Sequence, residues 1–188
     1  MILIMHSPIE GYLHNVRHQR IVLEKGRFLF HAGDPIKALH IVQTGSVQLV
    51  RHQRDGSRLV LQKAGPGSIV AEASLYADTY HCDAMAASAA QLLTFPKTDI
   101  QQRLRCDPDF AETWARHLAH ELQRVRHQAE ILAMKTVAQR LDAWIAWRGG
   151  DAAGGGAWKL IAGEISVSPE ALYRELAKRR RLPAVPSV

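Results

Sequence analysis

Apolar and polar residues alternate with a period close to two from about His18 to Phe95, and with a period between three and four from about Thr98 onward. In the first part, RIVLEK, RFLFHA, ALHIVQT, SVQLVRH, SRLVLQK, DAMAAS and AQLLTF either alternate strictly or run apolar where both faces of a strand could be buried. Turn signals separate them: Gly33-Asp34-Pro35, Thr44-Gly45-Ser46, Asp55-Gly56-Ser57 and Gly65-Pro66-Gly67 supply the positive-φ and preset-φ positions that tight connections need. Many short strands at near-regular spacing predict a β-sandwich or jelly-roll barrel. A short lead-in helix is read within Leu13 to Val22.

In the second part, Thr98 to Arg105 predicts a short helix with Thr98 as its N-cap, and Asp107-Pro108 opens a long one. Along the long helix, Ala115, Leu118, Leu122, Val125, Ala129 and Leu132 recur in steps of three and four, the seam of a two-stranded coiled coil. Phe110 and Trp114 lie on a neighbouring stripe that packing on the chain's own barrel would use. The seam, flanked by Arg124, Arg126, His127 and Gln128, favours a partner helix and hence a homodimer. Near Ala133-Met134-Lys135 the stripe resets to Val137, Leu141, Trp144 and Ile145, which marks a hinge. Arg148 to Ala157, rich in Gly and Ala, reads as a flexible connection.

Trp158 to Arg181 then predicts two short packed helices. Ile161, Ile165, Val167, Leu172 and Leu176 face inward, Ser168 and Pro169 start the second helix, and Glu170, Tyr173, Arg174 and Lys178 face outward. Glu can accept from cytosine N4 and Arg can fork onto guanine O6 and N7, so such a helix suits a DNA major groove. A helical hairpin with a solvated charged face fits the same stretch.

Composition narrows the classes. The chain has 188 residues, 47% of them hydrophobic, enough for one sizeable core or for a core plus a small appendage. MILIM is too short for a signal segment or a membrane span and no later apolar run reaches spanning length, so a cytoplasmic protein with no membrane partner is expected. A formal net charge of +6 and the run Lys178, Arg179, Arg180, Arg181 favour a polyanionic partner. Cys82 and Cys106 suggest neither a disulfide framework nor a zinc site. No nucleophile–base pair, metal-ligand spacing or phosphate loop points to an enzyme.

A barrel, a long dimer helix and a C-terminal helix-turn-helix, in that order, resemble the Crp/Fnr family of bacterial transcription regulators, whose barrel is the cyclic-nucleotide-binding fold. The resemblance runs from about Ile21 to Arg181 and rests on the glycines around Gly33, Gly45 and Gly56, on GSIVAEASLY, and on SVSPEALYRELAKR. It implies an α+β architecture: a β-barrel sensor over 1–106, a dimerisation helix over 107–134, and a helix-turn-helix domain over 135–188. It further implies double-stranded DNA with a two-fold-symmetric site as partner, a contact with RNA polymerase, and DNA contacts from Ser168, Pro169, Glu170, Tyr173, Arg174 and Lys178, with Pro169, Glu170 and Arg174 at the base-contacting positions. The dimer interface would use Leu118, Leu122, Val125, Ala129 and Leu132. Two residues depart from the family pattern in the motif: Ser166 stands where the family has Gly, and Glu175 where it has an apolar or small residue. The family continues into a β-hairpin wing, whereas here only Pro183-Ala184-Val185-Pro186-Ser187-Val188 follow Leu182, so a full wing is not expected and weaker backbone contact is.

By the same resemblance, Glu72 matches a ribose-binding carboxylate and Ala84 the small residue after the phosphate site. Cys82 stands where the family's phosphate-pairing Arg would be and Asp83 replaces its hydroxyl residue, which disfavours ordinary cAMP. Val125 and Arg126 hold the adenine-facing positions of the helix, and Arg126 could reach a different anion. His81 beside Cys82 offers a redox or metal-sensing alternative, against which a packed, inert thiol is the simpler reading. His117, His120 and His127 could chelate a metal or be solvated surface. The effector is left unknown. The competing reading is a cyclic-nucleotide or small-ligand sensor that acts through protein contacts.

Overall fold

The computed structural model describes residues 8–13, 15–56, 58–148 and 158–181. It divides into two compact units, Met1–His117 and Leu118–Val188.

In the first unit every period-two segment forms a strand: β1 (Gln19–Leu23), β2 (Phe28–Phe30), β3 (Ala38–Thr44), β4 (Val47–His52), β5 (Arg58–Ala64), β7 (Asp83–Ala86) and β8 (Ala90–Pro96). The two-residue strand β6 (Ile69–Val70) lies within GSIVAEASLY and leads into a short 3-10 helix, Glu72–Ser74. The strands make two four-stranded antiparallel sheets, in the orders β1-β8-β3-β6 and β2-β7-β4-β5. Between them lies one core, built from Phe30, Val42, Val47, Leu49, Val70, Cys82, Ala84 and Leu92 among others. This is the sandwiched, jelly-roll-like barrel that the pattern predicts.

The first sheet is covered on its other side too. Leu39 and Ile41 of β3 and Phe95 of β8 pack with Ile9 and Leu13 of α1 (Pro8–Leu13), Ile100 of α2 (Lys97–Cys106), and Phe110 and Trp114 of α3 (Pro108–Ala133). Burial on both faces is why ALHIVQT runs apolar rather than alternating. Each large side chain fully withdrawn from water contributes roughly 1.5–3 kcal/mol, so Phe110, 0% exposed, and Trp114, 4% exposed, anchor the start of α3 to the barrel. Gly45 turns β3 into β4 at φ 76°, and a Cβ there would collide with the carbonyl oxygen of Ala89.

Two local expectations are corrected. The lead-in helix is α1, Pro8–Leu13, and Val22 belongs to β1, paired with Gln91. Helix α2 starts at Lys97 after Pro96, and the Thr98 hydroxyl bonds Asp99 Oδ1 at 3.0 Å instead of capping. The next N-cap is as read: Asp107 Oδ1 accepts from the Phe110 N–H at 3.0 Å while Oδ2 takes Arg103 Nη2 at 3.0 Å. Those bonds, the Phe110 N–H first, hold the Asp107 carboxyl below its ordinary range.

In the second unit α3 ends at Ala133, and α4 (Val137–Arg148) begins behind a reciprocal cap. The Thr136 hydroxyl accepts from the Gln139 N–H at 3.2 Å, and Gln139 Oε1 accepts from the Thr136 N–H at 3.2 Å. This Thr-x-x-Gln capping box is the break that the reset of the stripe foreshadows. Helices α5 (Trp158–Glu164) and α6 (Pro169–Arg181) follow. Ile131, Leu141, Trp144, Ile161, Ala162, Ile165 and Leu172 form one core, with Val167 and Leu176 packed against it. The flexible connection read at Arg148 to Ala157 falls outside the described residues from position 149 on, as do positions 182–188, where the shortened wing is expected.

Candidate nucleic-acid interface and sensor cassette

The start of α6 is set by Ser168, whose Oγ accepts from the Ala171 N–H at 3.1 Å. Pro169 follows as the first helical residue, where a missing N–H costs nothing. With Leu172 at 0% exposure and Leu176 half-buried on the core side, Glu170, Tyr173, Arg174 and Lys178 stand exposed on the other. Its own backbone N–H first, then the Ser168 hydroxyl, then Arg174 and Lys159 hold the Glu170 carboxyl below its ordinary range. Glu170 is therefore an ionised, acceptor-only group, one helical turn from a five-donor guanidinium.

The basic run at the end of α6 is not uniform. Arg179 turns back onto the unit: Nη1 meets Asp142 Oδ1 at 2.6 Å, Nε meets Glu175 Oε1 at 2.8 Å, and Nη2 donates to the Ala138 carbonyl at 3.1 Å. That pairing explains why a carboxylate is tolerated at Glu175, whose side chain is 15% exposed. Lys178 and Arg180 remain exposed. The spacing of Glu175 and Arg179, four residues on one helix, was a readable signal for this role. Ser166 adopts φ 51°, the left-handed conformation for which the family pattern has Gly.

On α3, Leu118, Leu122, Val125, Ala129 and Leu132 form an exposed stripe, with Leu122 51% and Val125 56% exposed. Arg126 is exposed beside it. Val125 and Arg126 lie in the second unit and the other sensor residues in the first.

In the barrel, Glu72 opens the 3-10 helix directly after Ala71, which sits at φ 59°. Gln62 Nε2 reaches Glu72 Oε2 at 3.2 Å and the Ile69 carbonyl at 3.3 Å. Gln62 was not singled out from the sequence; its place on β5 becomes informative only when the chain folds. Cys82 is 2% exposed and packed in the inter-sheet core, and burial pushes its thiol pKa up, with Arg51 opposing and Asp83 adding to the shift. His81, its neighbour, is exposed, and the His81 carbonyl accepts from Arg51 Nη2 at 3.4 Å. Such a thiol is protonated and shielded, poorly suited to redox or metal chemistry. Asp83 accepts from the Ala32 N–H at 2.9 Å and lies 3.3 Å from His31 Nδ1 and 3.1 Å from His52 Nδ1. These contacts, the Ala32 N–H first, pull its carboxyl below the ordinary range. Ala84, at 0% exposure, packs into the core.

The helix histidines do not converge. His127 Nδ1 lies 3.3 Å from Glu130 Oε2, while the His117 ring lies 6.1 Å from that of Trp114. Among the described residues no group of three or more His, Cys, Asp and Glu side chains is arranged to hold a metal ion. No described helix is long and apolar enough to cross a membrane.

Residues 20–106 match the family described as Cyclic nucleotide-binding domain. The Cyclic AMP receptor protein of Thermus thermophilus is 28% identical over 124 residues, covering 65% of this chain and 57% of that protein. Among solved structures, FixK2 from Bradyrhizobium japonicum superposes with a TM-score of 0.69 at 17% identity, covering 88% of this chain and 85% of that one. The c-di-GMP responsive global regulator CLP of Xanthomonas campestris gives 0.62 at 22%, covering 92% and 90%. Residues 20–106 thus carry a cyclic nucleotide-binding domain, and the chain shares the fold of FixK2 and CLP. Its matches span about half the length of the curated relatives.

Proposed function

We propose that this chain is a cytoplasmic, non-enzymatic transcription regulator of the Crp/Fnr type, with double-stranded DNA and RNA polymerase as partners. Residues 1–106 sense, 107–134 pair two copies through Leu118, Leu122, Val125, Ala129 and Leu132, and 135–188 bind DNA. The observation that carries this reading is the face of α6: capped by Ser168, seated by Leu172, it presents Glu170, Tyr173, Arg174 and Lys178 to solvent. An ionised Glu170 accepts from cytosine N4 and Arg174 forks onto guanine, while Lys178 and Arg180 meet phosphates. Two copies joined along α3 place two such helices on half-sites about one helical turn apart.

The effector is not ordinary cAMP. A cyclic phosphate at the family's position finds a buried, neutral Cys82 in place of a cation, beside the ionised Asp83. Both features oppose an anion there. Glu72, held by Gln62, remains the polar group available to a hydroxylated ligand.

Selection from randomised duplex DNA at low salt tests the reading. The dimeric wild-type protein is expected to recover a two-fold-symmetric site, and Glu170→Ala or Arg174→Ala to lower specific affinity by roughly ten- to a hundred-fold with non-specific binding retained. Recovery of no preferred sequence would overturn it in favour of a sensor that acts through protein contacts.

A further inference from the structure

An α-helix leaves its last four carbonyls without intrahelical donors, and its C-terminal end carries partial negative charge. In the second unit, a single guanidinium joins one such end to the turn that follows another helix. Arg140, on the first turn of α4, donates from Nη2 to the Leu132 carbonyl at 3.1 Å and from Nε to the Met134 carbonyl at 2.9 Å, where α3 ends. From Nη1 it donates to the carbonyls of Ile165 and Ser166, each at 3.2 Å, in the turn between α5 and α6. Gln128 of α3 adds a bond from Nε2 to the carbonyl of Glu164. Side chains from α3 and α4 therefore hold three consecutive carbonyls of the turn.

The turn so held is the one that needs holding. Ser166 occupies the left-handed region, φ 51°, at which a Cβ is unfavourable. Ser168, two residues on, caps the reading helix, so the orientation of the Ser166 peptide sets where α6 starts. A lysine could not replace the clamp: its three donors radiate from one nitrogen, whereas the planar fork of Arg spans the helix end and the turn.

We infer that Arg140 is a positioning residue for DNA reading, tying the end of the seam helix α3 to the turn that launches α6 and thereby carrying a displacement of α3 to Glu170 and Arg174. The inference rests on the DNA-reading function proposed above. It also makes the clamp the compensation for Ser166.

Arg140→Lys, alone and with Ser166→Gly, tests it in the full-length dimer by two readouts. The first is amide hydrogen exchange. The Ile165 and Val167 N–H groups, bonded to Ile161 and Ala162 carbonyls at 2.9 Å each, are expected to exchange roughly tenfold faster in Arg140→Lys, well beyond the change at the Leu141 and Trp144 amides. Ser166→Gly should return part of that protection, because Gly holds the turn without the clamp. The second is the ratio of specific to non-specific affinity on DNA selected by the wild-type protein, expected to fall about tenfold and to recover partly in the double variant. Gln128→Ala, which removes only the Glu164 contact, should loosen the same amides by less and covers the case in which Arg140→Lys does not fold. Unchanged exchange at Ile165 and Val167, or a uniform rise across the unit with no rescue by Ser166→Gly, would overturn the inference. If the wild-type protein selects no DNA, the DNA-reading function fails, and the exchange arm still decides whether the clamp exists.

Discussion

In the barrel, His40, Cys82 and Asp83 are withdrawn from water or tied to neighbours, whereas on α6 Glu170, Arg174 and Lys178 keep their charges in solvent. By the resemblance, both stretches are expected at functional positions of one family pattern, yet they differ in what they offer a ligand. Around Glu72, Ala84 is packed in the core, and a buried Cys82 and a tied Asp83 stand where the resemblance implies phosphate-binding groups. On α6 the residue types that the resemblance implies stand exposed, with Ser168 capping the helix, Leu172 seating it and Arg179 bracing its end. A retained fold is therefore weak evidence for a retained ligand, and exposed, paired chemistry on a capped helix is stronger evidence for a partner.

Three experiments can break or sharpen this contrast. The largest effect concerns the barrel's buried imidazole. His40, 7% exposed and 3.0 Å through Nδ1 from Thr94 Oγ1, has its pKa lowered from 6.5 to about 4 by desolvation. Because the unfolded chain takes up that proton first, the stability is complete above about pH 6.5 and falls as pH drops toward 4, by an amount on the order of 3 kcal/mol. Urea melts of the wild-type protein should show that loss, and His40→Leu should flatten it; an unchanged slope in the variant would break the contrast. The depressed carboxyl of Asp83 acts in a lower window: its contribution is present above the ordinary carboxylate range and is lost as pH falls below that range through its lowered folded-state value, so Asp83→Asn removes only that arm.

The middle effect separates neighbours in the basic run. Arg179, 31% exposed and bridging Asp142 and Glu175, should cost about 1 kcal/mol as Arg179→Ala, after allowance for solvent screening. The smallest stability effect belongs to Lys178→Ala, expected within about 0.5 kcal/mol of wild type. That variant should instead reduce the salt dependence of DNA binding by about one unit of slope. Thermal melts and salt titrations of both variants check the pair, and a reversed assignment would show that the two side chains have been given each other's roles.

Much was legible in the chain. The strand segments, the Asp107 and Ser168 caps and the outward face of α6 follow from period and local chemistry, which depend on neighbours one to four residues away. The Thr136-x-x-Gln139 box was equally local and readable, although only the reset of the apolar stripe pointed to it. Thr98 misled because a hydroxyl near a helix start caps only with the right backbone, and the N-cap falls two residues earlier, at Pro96. Arg140, Gln62 and Arg179 act across 26, 10 and 37 positions of chain, distances at which no periodicity speaks.

Sequence alone thus determined the order of barrel, long helix α3 and capped helix α6, together with the residue types on the outward face of α6, because those depend on local pattern. Tertiary structure decided which polar side chains are spent on holding the fold. Cys82 became core, Asp83 a tied carboxylate, Arg179 a brace and Arg140 a clamp between the end of α3 and the turn before α6, since a buried or orphaned polar group must find its partner wherever the folded chain brings one.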